Sequence, residues 1–185
     1  EYTNRKGQTY FLKEGRTKNG AIRLYASTNP DKGTDAEAMP EGYEFFENVN
    51  AAVFVRKIPK KHLRNEEIVI VEKAVGELRT NARFEVKGKR LVVHASDFQE
   101  DSTEIARFAT MISRAAFEKI RENARFSPLL RFSLTHSGER LFATERMCFM
   151  GEPDWLLIDK PRPLADCVSD YVPLLDDPES FFERI

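Results

Sequence analysis

Chemistry needs groups that gain and lose protons, hold metals or carry charge, and the chain gathers such groups in a few places. The densest acid and imidazole stretch is His94-Ala95-Ser96-Asp97-Phe98-Gln99-Glu100-Asp101, with Glu104 just beyond. If that loop folds back, His94, Asp97 and Asp101 could converge on a metal or an activated water, as a small metal-dependent hydrolase requires. A polar loop ending in a helix cap accounts for the same residues without any reaction. Glu85-Val86-Lys87 is an acid-x-Lys triplet on a strand-like run, a pattern that about two chance occurrences would supply in a chain this rich in charge. His136 stands beside Ser137-Gly138, but neighbours in a tight turn seldom aim at one substrate, and the glycine suits the turn itself. Nucleophile elbows, phosphate-cradling glycine loops and His-Glu-x-x-His helices are missing from the sequence. No cofactor is therefore expected, and a non-enzymatic role is preferred.

Cations offer the alternative chemistry. Arg56, Lys57, Lys60, Lys61 and Arg64 crowd a connector marked by Pro59 and containing His62, and Lys13, Arg16 and Lys18 fall in or beside the first hairpin loop. Cations on exposed, partly stiffened backbone bind phosphates through counterion release. Tyr10, Tyr25 and Tyr43 lie in neighbouring strands and could stack on bases. The expected role is thus a binding or adaptor protein whose partner is a nucleic acid or another protein. The competing account has these lysines solvated and blunting a strand edge.

These groups depend on the elements that carry them. Tyr43–Arg64 is expected to be the organising stretch: a hairpin of 43–46 and 52–55 with apolar residues of both parities, hence covered on both faces, running into the basic connector. Asn48 and Asn50 suit its turn because asparagine tolerates left-handed backbone. Asn19-Gly20 predicts an earlier hairpin of 9–12 with 21–26. Residues 27–42 read as a surface loop. Asn65, followed by Glu66 and Glu67, predicts a helix N-terminus, with Ile68, Val71, Val75 and Leu78 on its buried stripe. Further hairpins are predicted over 82–95 and 129–150, and a short strand over 155–158. Asp101 with Glu104 resembles a capping box opening a long helix to about Arg125. Leu164, Cys167, Val168 and Tyr171 share a helix face that Pro173 ends, and Asp177-Pro178-Glu179 starts a last short helix. The expected fold is α+β: antiparallel hairpins with a long central helix and two C-terminal helices. Residues 1–60 form a β subdomain and 61–185 an α+β domain.

Charge and cysteines set the remaining bounds. The net charge of −1 exerts no overall pull on polyanions. Its distribution is uneven: residues 1–65 hold 12 Lys and Arg against 8 Asp and Glu, whereas residues 151–185 hold 3 against 9. The acidic C-terminal segment could dock another chain in an assembly, or complement the basic front internally. Cys148 and Cys167 are too far apart in sequence for a redox or zinc pair and read as buried free thiols. No apolar run approaches membrane-spanning length, and a cytoplasmic location is expected. The strings KEGRTKNG, MPEGYEFFEN, VFVRKIP and DYVPLLDDPESFFERI resemble those of uncharacterised bacterial proteins with the same layout. That resemblance implies a bacterial, cytoplasmic chain behaving as one unit and carries no activity with it.

Overall fold

The structure, a computed structural model, describes residues 1–96, 110–149, 154–177 and 181. It divides into two compact units, Glu1–Lys60 and Lys61–Ile185.

The first unit is entirely β. Strands β1 (Tyr2–Thr3), β2 (Thr9–Arg16) and β3 (Ile22–Ser27) lie in that order, and β4 (Thr34–Asp35) joins β2 on the side away from β3. The β2–β3 turn closes through Thr17 N–H to Ala21 O at 2.9 Å, with Gly20 at φ 80° where its missing Cβ avoids a clash. Strands β5 (Tyr43–Glu47) and β6 (Val53–Lys57) form a separate antiparallel pair. Its turn differs from the sequence expectation, because Ala51 takes the left-handed backbone at φ 64°. Asn48 acts from its side chain instead: Oδ1 accepts from the amides of Asn50 (2.9 Å) and Ala52 (3.0 Å). The N-terminal segment holds this turn, with Asn4 Nδ2 donating to Ala51 O and Arg5 to Glu47 and Asn48 O.

Both parities of the β5–β6 hairpin are apolar for two different reasons. Phe45 packs against the Tyr2 ring at 5.6 Å, and on the other face the Arg56 guanidinium lies 3.5 Å from the Phe46 centroid. The hairpin is not the covered centre that its composition implied. Phe54 is 51% exposed, and the fully buried apolar side chains all belong to the second unit.

That unit is a five-stranded antiparallel sheet in the order β11-β10-β9-β8-β7, built from β7 (Ala82–Lys87), β8 (Arg90–Ser96), β9 (Phe126–His136), β10 (Leu141–Cys148) and β11 (Asp154–Pro163). Helices α1 (Asn65–Gly76), α2 (Arg114–Asn123) and α3 (Leu164–Tyr171) accompany it, with a 3₁₀ turn at Pro173–Asp176. Period-two alternation brings Leu91, Val93, Leu130, Phe132 and Phe142 to one core, where Val71 and Val75 of α1 and Leu164, Cys167 and Val168 of α3 meet them. Arg64, not Asn65, is the N-cap of α1, and its amide donates to Glu67 at 2.7 Å. Glu67 also receives the Arg140 guanidinium, 2.8 Å from Nε. The amides of Thr80 and Arg79 donate to Asp176 at 2.7 and 3.0 Å, tying the chain's end to the loop after α1.

The expected α+β fold with a long central helix is not what forms. Strand accounts for 43% of the described residues and helix for 23%, in three sheets. Helix α2 begins only at Arg114, because Ser113 sits at φ −66°, ψ 150° and its hydroxyl accepts from Ala116 N–H at 3.3 Å. A serine that caps a new helix cannot also continue an old one. The expected cap at Asp101 and Glu104 lies outside the described residues, as does the expected last helix apart from exposed Asp177 and buried Phe181, whose amide donates to Asp177 O at 2.9 Å. Both cysteines are free, Cys167 buried and Cys148 only half-buried. Among the described residues no helix is long and apolar enough to cross a membrane.

Candidate functional site

The first unit contains an open groove of about 610 Å³. One wall is residues 23–26 of β3 together with Gly15 and Arg16 of β2, and the other is residues 53–55 of β6. Both walls are strand edges. Among the described residues β3 pairs only with β2 and β6 only with β5, and no ladder joins β3 to β6.

Ladder alternation determines which backbone groups face the groove. In an antiparallel pair, residues alternate between bonding their partner strand and pointing away from it. The Thr17–Ala21 bond, with the register pairing Gly15 to Arg23 and Lys13 to Tyr25, assigns Arg23 and Tyr25 to bonding β2. Leu24 and Ala26 therefore direct their N–H and C=O groups outward. On the other wall, Asn48 N–H donates to Ala52 O and Ile58 N–H to Gly42 O. By the same alternation Phe54 and Arg56 bond β5, whereas Val53 and Val55 point outward. Among the described residues none of these four outward sets makes a hydrogen bond. Val53 is buried, so the accessible edge groups are those of Leu24 and Ala26, with Val55 opposite.

Side chains complete the groove. The Tyr25 ring lies across β2, so that a Cβ placed on Gly15 would stand 3.2 Å from it, and its hydroxyl abuts Gly33. Gly33 has φ 78°, a conformation that lets the backbone pass under that hydroxyl. Phe54 on the groove's far wall and Ile22, next to Arg23, present large exposed apolar surfaces. Arg16 and Arg23 are exposed, and no carboxylate among the described residues is within ion-pair distance of either.

Of the eight cations expected to bind a polyanion, six lie in the first unit and two in the second. Lys13 is 1% exposed, and its ammonium bonds Pro30 O and the Asp35 carboxylate, so it serves the interior of the unit. Arg56 is paired to Glu44 at 2.9 Å and stacked on Phe46. Lys57 stands 5.9 Å from the Tyr43 centroid. Arg16 lines the groove, Lys18 is exposed in the β2–β3 turn, and Lys60 ends the first unit. Lys61 and Arg64 belong to the second unit and lead into α1. Lys57, Lys60, Lys61 and Arg64 have no carboxylate within ion-pair distance among the described residues. Arg23, Leu24 and Ala26 escaped sequence reasoning. An edge is a property of strand order, and only the arginine's charge could have drawn notice.

The hydrolase alternative rested on His94, Asp97 and Asp101. His94 is on β8, 5% exposed, and Asp97 and Asp101 lie outside the described residues. Burial, and secondarily the Lys87 ammonium, push the imidazole down to about 4. Its Nε2 is 3.6 Å from Glu85 Oε2, beyond hydrogen-bond reach, while Lys87 Nζ holds the same oxygen at 3.0 Å. Neither ring nitrogen has a hydrogen-bond partner among the described residues. No group of three or more His, Cys, Asp or Glu side chains among the described residues could hold a metal ion. In the acidic C-terminal segment, Asp159 and Asp170 each pair with Arg162 at 2.6 Å, and Asp176 accepts the two amides already described.

No family model, curated protein or solved structure matches the chain.

Proposed function

We propose that residues 1–60 form a docking module of a non-enzymatic adaptor, which binds an extended segment of another protein by adding it as a strand to the outward edge of β3. The observation carrying this reading is the set of unbonded N–H and C=O groups of Leu24 and Ala26, facing a groove walled on its far side by β6. An exposed edge is a template for another chain. Main-chain hydrogen bonds then supply affinity, and alternate side chains supply selectivity. A nucleic acid fits this edge less well: its phosphodiester backbone offers acceptors only, whereas a strand edge presents donors and acceptors in turn. The groove's volume is in the range of small binding clefts and accommodates a few residues of extended chain.

A proline on the outward face tests this directly. Leu24→Pro removes a donor aimed at the groove and leaves the bonds of Arg23 and Tyr25 to β2 in place; Ala26→Pro does the same one pair further along. The probes are fluorescein-labelled peptides in which a Glu-Glu, Ser-Ser or Lys-Lys pair precedes a tail of alternating Val and Thr. Each proline variant is expected to weaken the best-bound peptide at least about tenfold, from one lost hydrogen bond plus steric exclusion. Circular dichroism should show the β content retained. Undiminished peptide binding by both folded variants, or no binding of any peptide by the parent chain, contradicts the reading.

A further inference from the structure

The geometry points to an acidic partner: we infer that the segment taken up beside β3 carries two adjacent carboxylate side chains, received by Arg16 and Arg23, followed by apolar residues directed toward Val55 and Phe54. This rests on the strand-docking reading and adds the chemistry of the ligand.

The first unit has four arginines, Arg5, Arg16, Arg23 and Arg56. Arg5 is paired to Glu47 at 2.8 Å and Arg56 to Glu44 at 2.9 Å, and buried Lys13 likewise has Asp35. The two left without a carboxylate among the described residues are the two that line the groove. No acidic residue lines it. A cleft with cations and no anion of its own favours the opposite charge in whatever enters. Arginine adds geometric selectivity, since its planar fork matches a carboxylate with two parallel N–H donors.

Register then fixes where the acids must fall. Arg23 is opposite Gly15, and Arg16 is opposite Ile22. Directly opposite residues share a face, and successive residues alternate, so the two guanidinium groups emerge on opposite faces of the same strand end. A segment beside β3 also alternates its side chains. It can satisfy both arginines only with acids at neighbouring positions, one for each face. The far wall contributes Val55 and the half-exposed Phe54 ring, which suit apolar side chains.

The three labelled peptides separate this inference from the reading beneath it. The Glu-Glu member is expected to bind at least about tenfold tighter than the Lys-Lys member at low salt, with the gap narrowing as salt rises. Arg16→Glu combined with Arg23→Glu should reverse that order. Both positions are exposed, which keeps the fold intact. Lys18→Glu with Lys32→Glu, an equal charge change at exposed residues outside the groove lining, should leave the order unchanged. If all three peptides bind alike and remain sensitive to Leu24→Pro, strand docking stands and the acidic preference is overturned. The preference is also overturned if the Lys18 and Lys32 changes reverse the order equally well. An oligothymidylate that outcompetes the Glu-Glu peptide, and loses that advantage in the double arginine variant, assigns both arginines to phosphate and overturns it too.

Discussion

Lowering the pH from about 6.5 to about 4.5 is expected to remove roughly 2–3 kcal/mol of stability through His94 alone. The imidazole is buried in β8, and burial holds it at about 4 against an ordinary 6.5. A base whose folded value is depressed contributes fully above its unfolded value. The contribution fades as pH falls through the interval between the two, because the unfolded chain takes up a proton that the folded chain refuses. Glu67, Glu145 and Asp176 begin to contribute only at the acid end of this window. Burial works to raise each of these carboxyls, but their hydrogen bonds outweigh it and hold all three below the usual range, so their contributions disappear only in stronger acid. Urea unfolding at several pH values measures the effect, and His94→Leu should flatten the profile between about 4.5 and 6.5. A slope that survives this substitution would assign the acid sensitivity elsewhere.

Replacing Arg131 with methionine is expected to destabilise the second unit by about 3 kcal/mol at neutral pH. Arg131 and Glu145 face each other across β9 and β10, with Nε 2.7 Å from Oε2 and a second contact from Nη2, and both are largely buried. Ser133 donates to the same carboxylate at 2.5 Å, and the Arg131 guanidinium lies 4.3 Å from the Trp155 centroid. Methionine fills much of the volume but leaves a buried anion with only the serine hydroxyl. Removing one member of a buried pair costs far more than removing both. Arg131→Met with Glu145→Gln should therefore recover a good part of the loss, and thermal or denaturant unfolding of the four-member cycle reads the coupling. Additive losses in the double variant would mean that the pair is not energetically coupled.

Local structure was legible in the sequence wherever one residue type forces one backbone state. Asn19-Gly20 produced its hairpin, and the Leu164, Cys167, Val168 and Tyr171 spacing produced α3 over Leu164–Tyr171. The long helix failed at Ser113, a residue tolerated within a helix and favoured at its start, between which apolar periodicity does not discriminate. The turn at Asn48 formed where expected but by another route, because an asparagine can serve a turn through its side chain while a neighbouring alanine bends. Adjacency in sequence says nothing about which cations are paired. Lys13 found Asp35 on β4, a strand no local pattern connects to β2, whereas Arg56 found Glu44 directly across its own hairpin. The groove was invisible for the same reason: Leu24 and Ala26 are ordinary strand residues, and only strand order shows that nothing bonds their outer side.

Amide hydrogen exchange at single-residue resolution tests strand docking most directly. In the free protein the Leu24 and Ala26 amides should exchange rapidly while those of Arg23 and Tyr25 are protected by β2. Saturation with the Glu-Glu peptide should slow Leu24 and Ala26 and leave the already protected pair unchanged. Leu24 and Ala26 amides that remain fast under saturating peptide, with protection appearing elsewhere in the chain, would contradict the account.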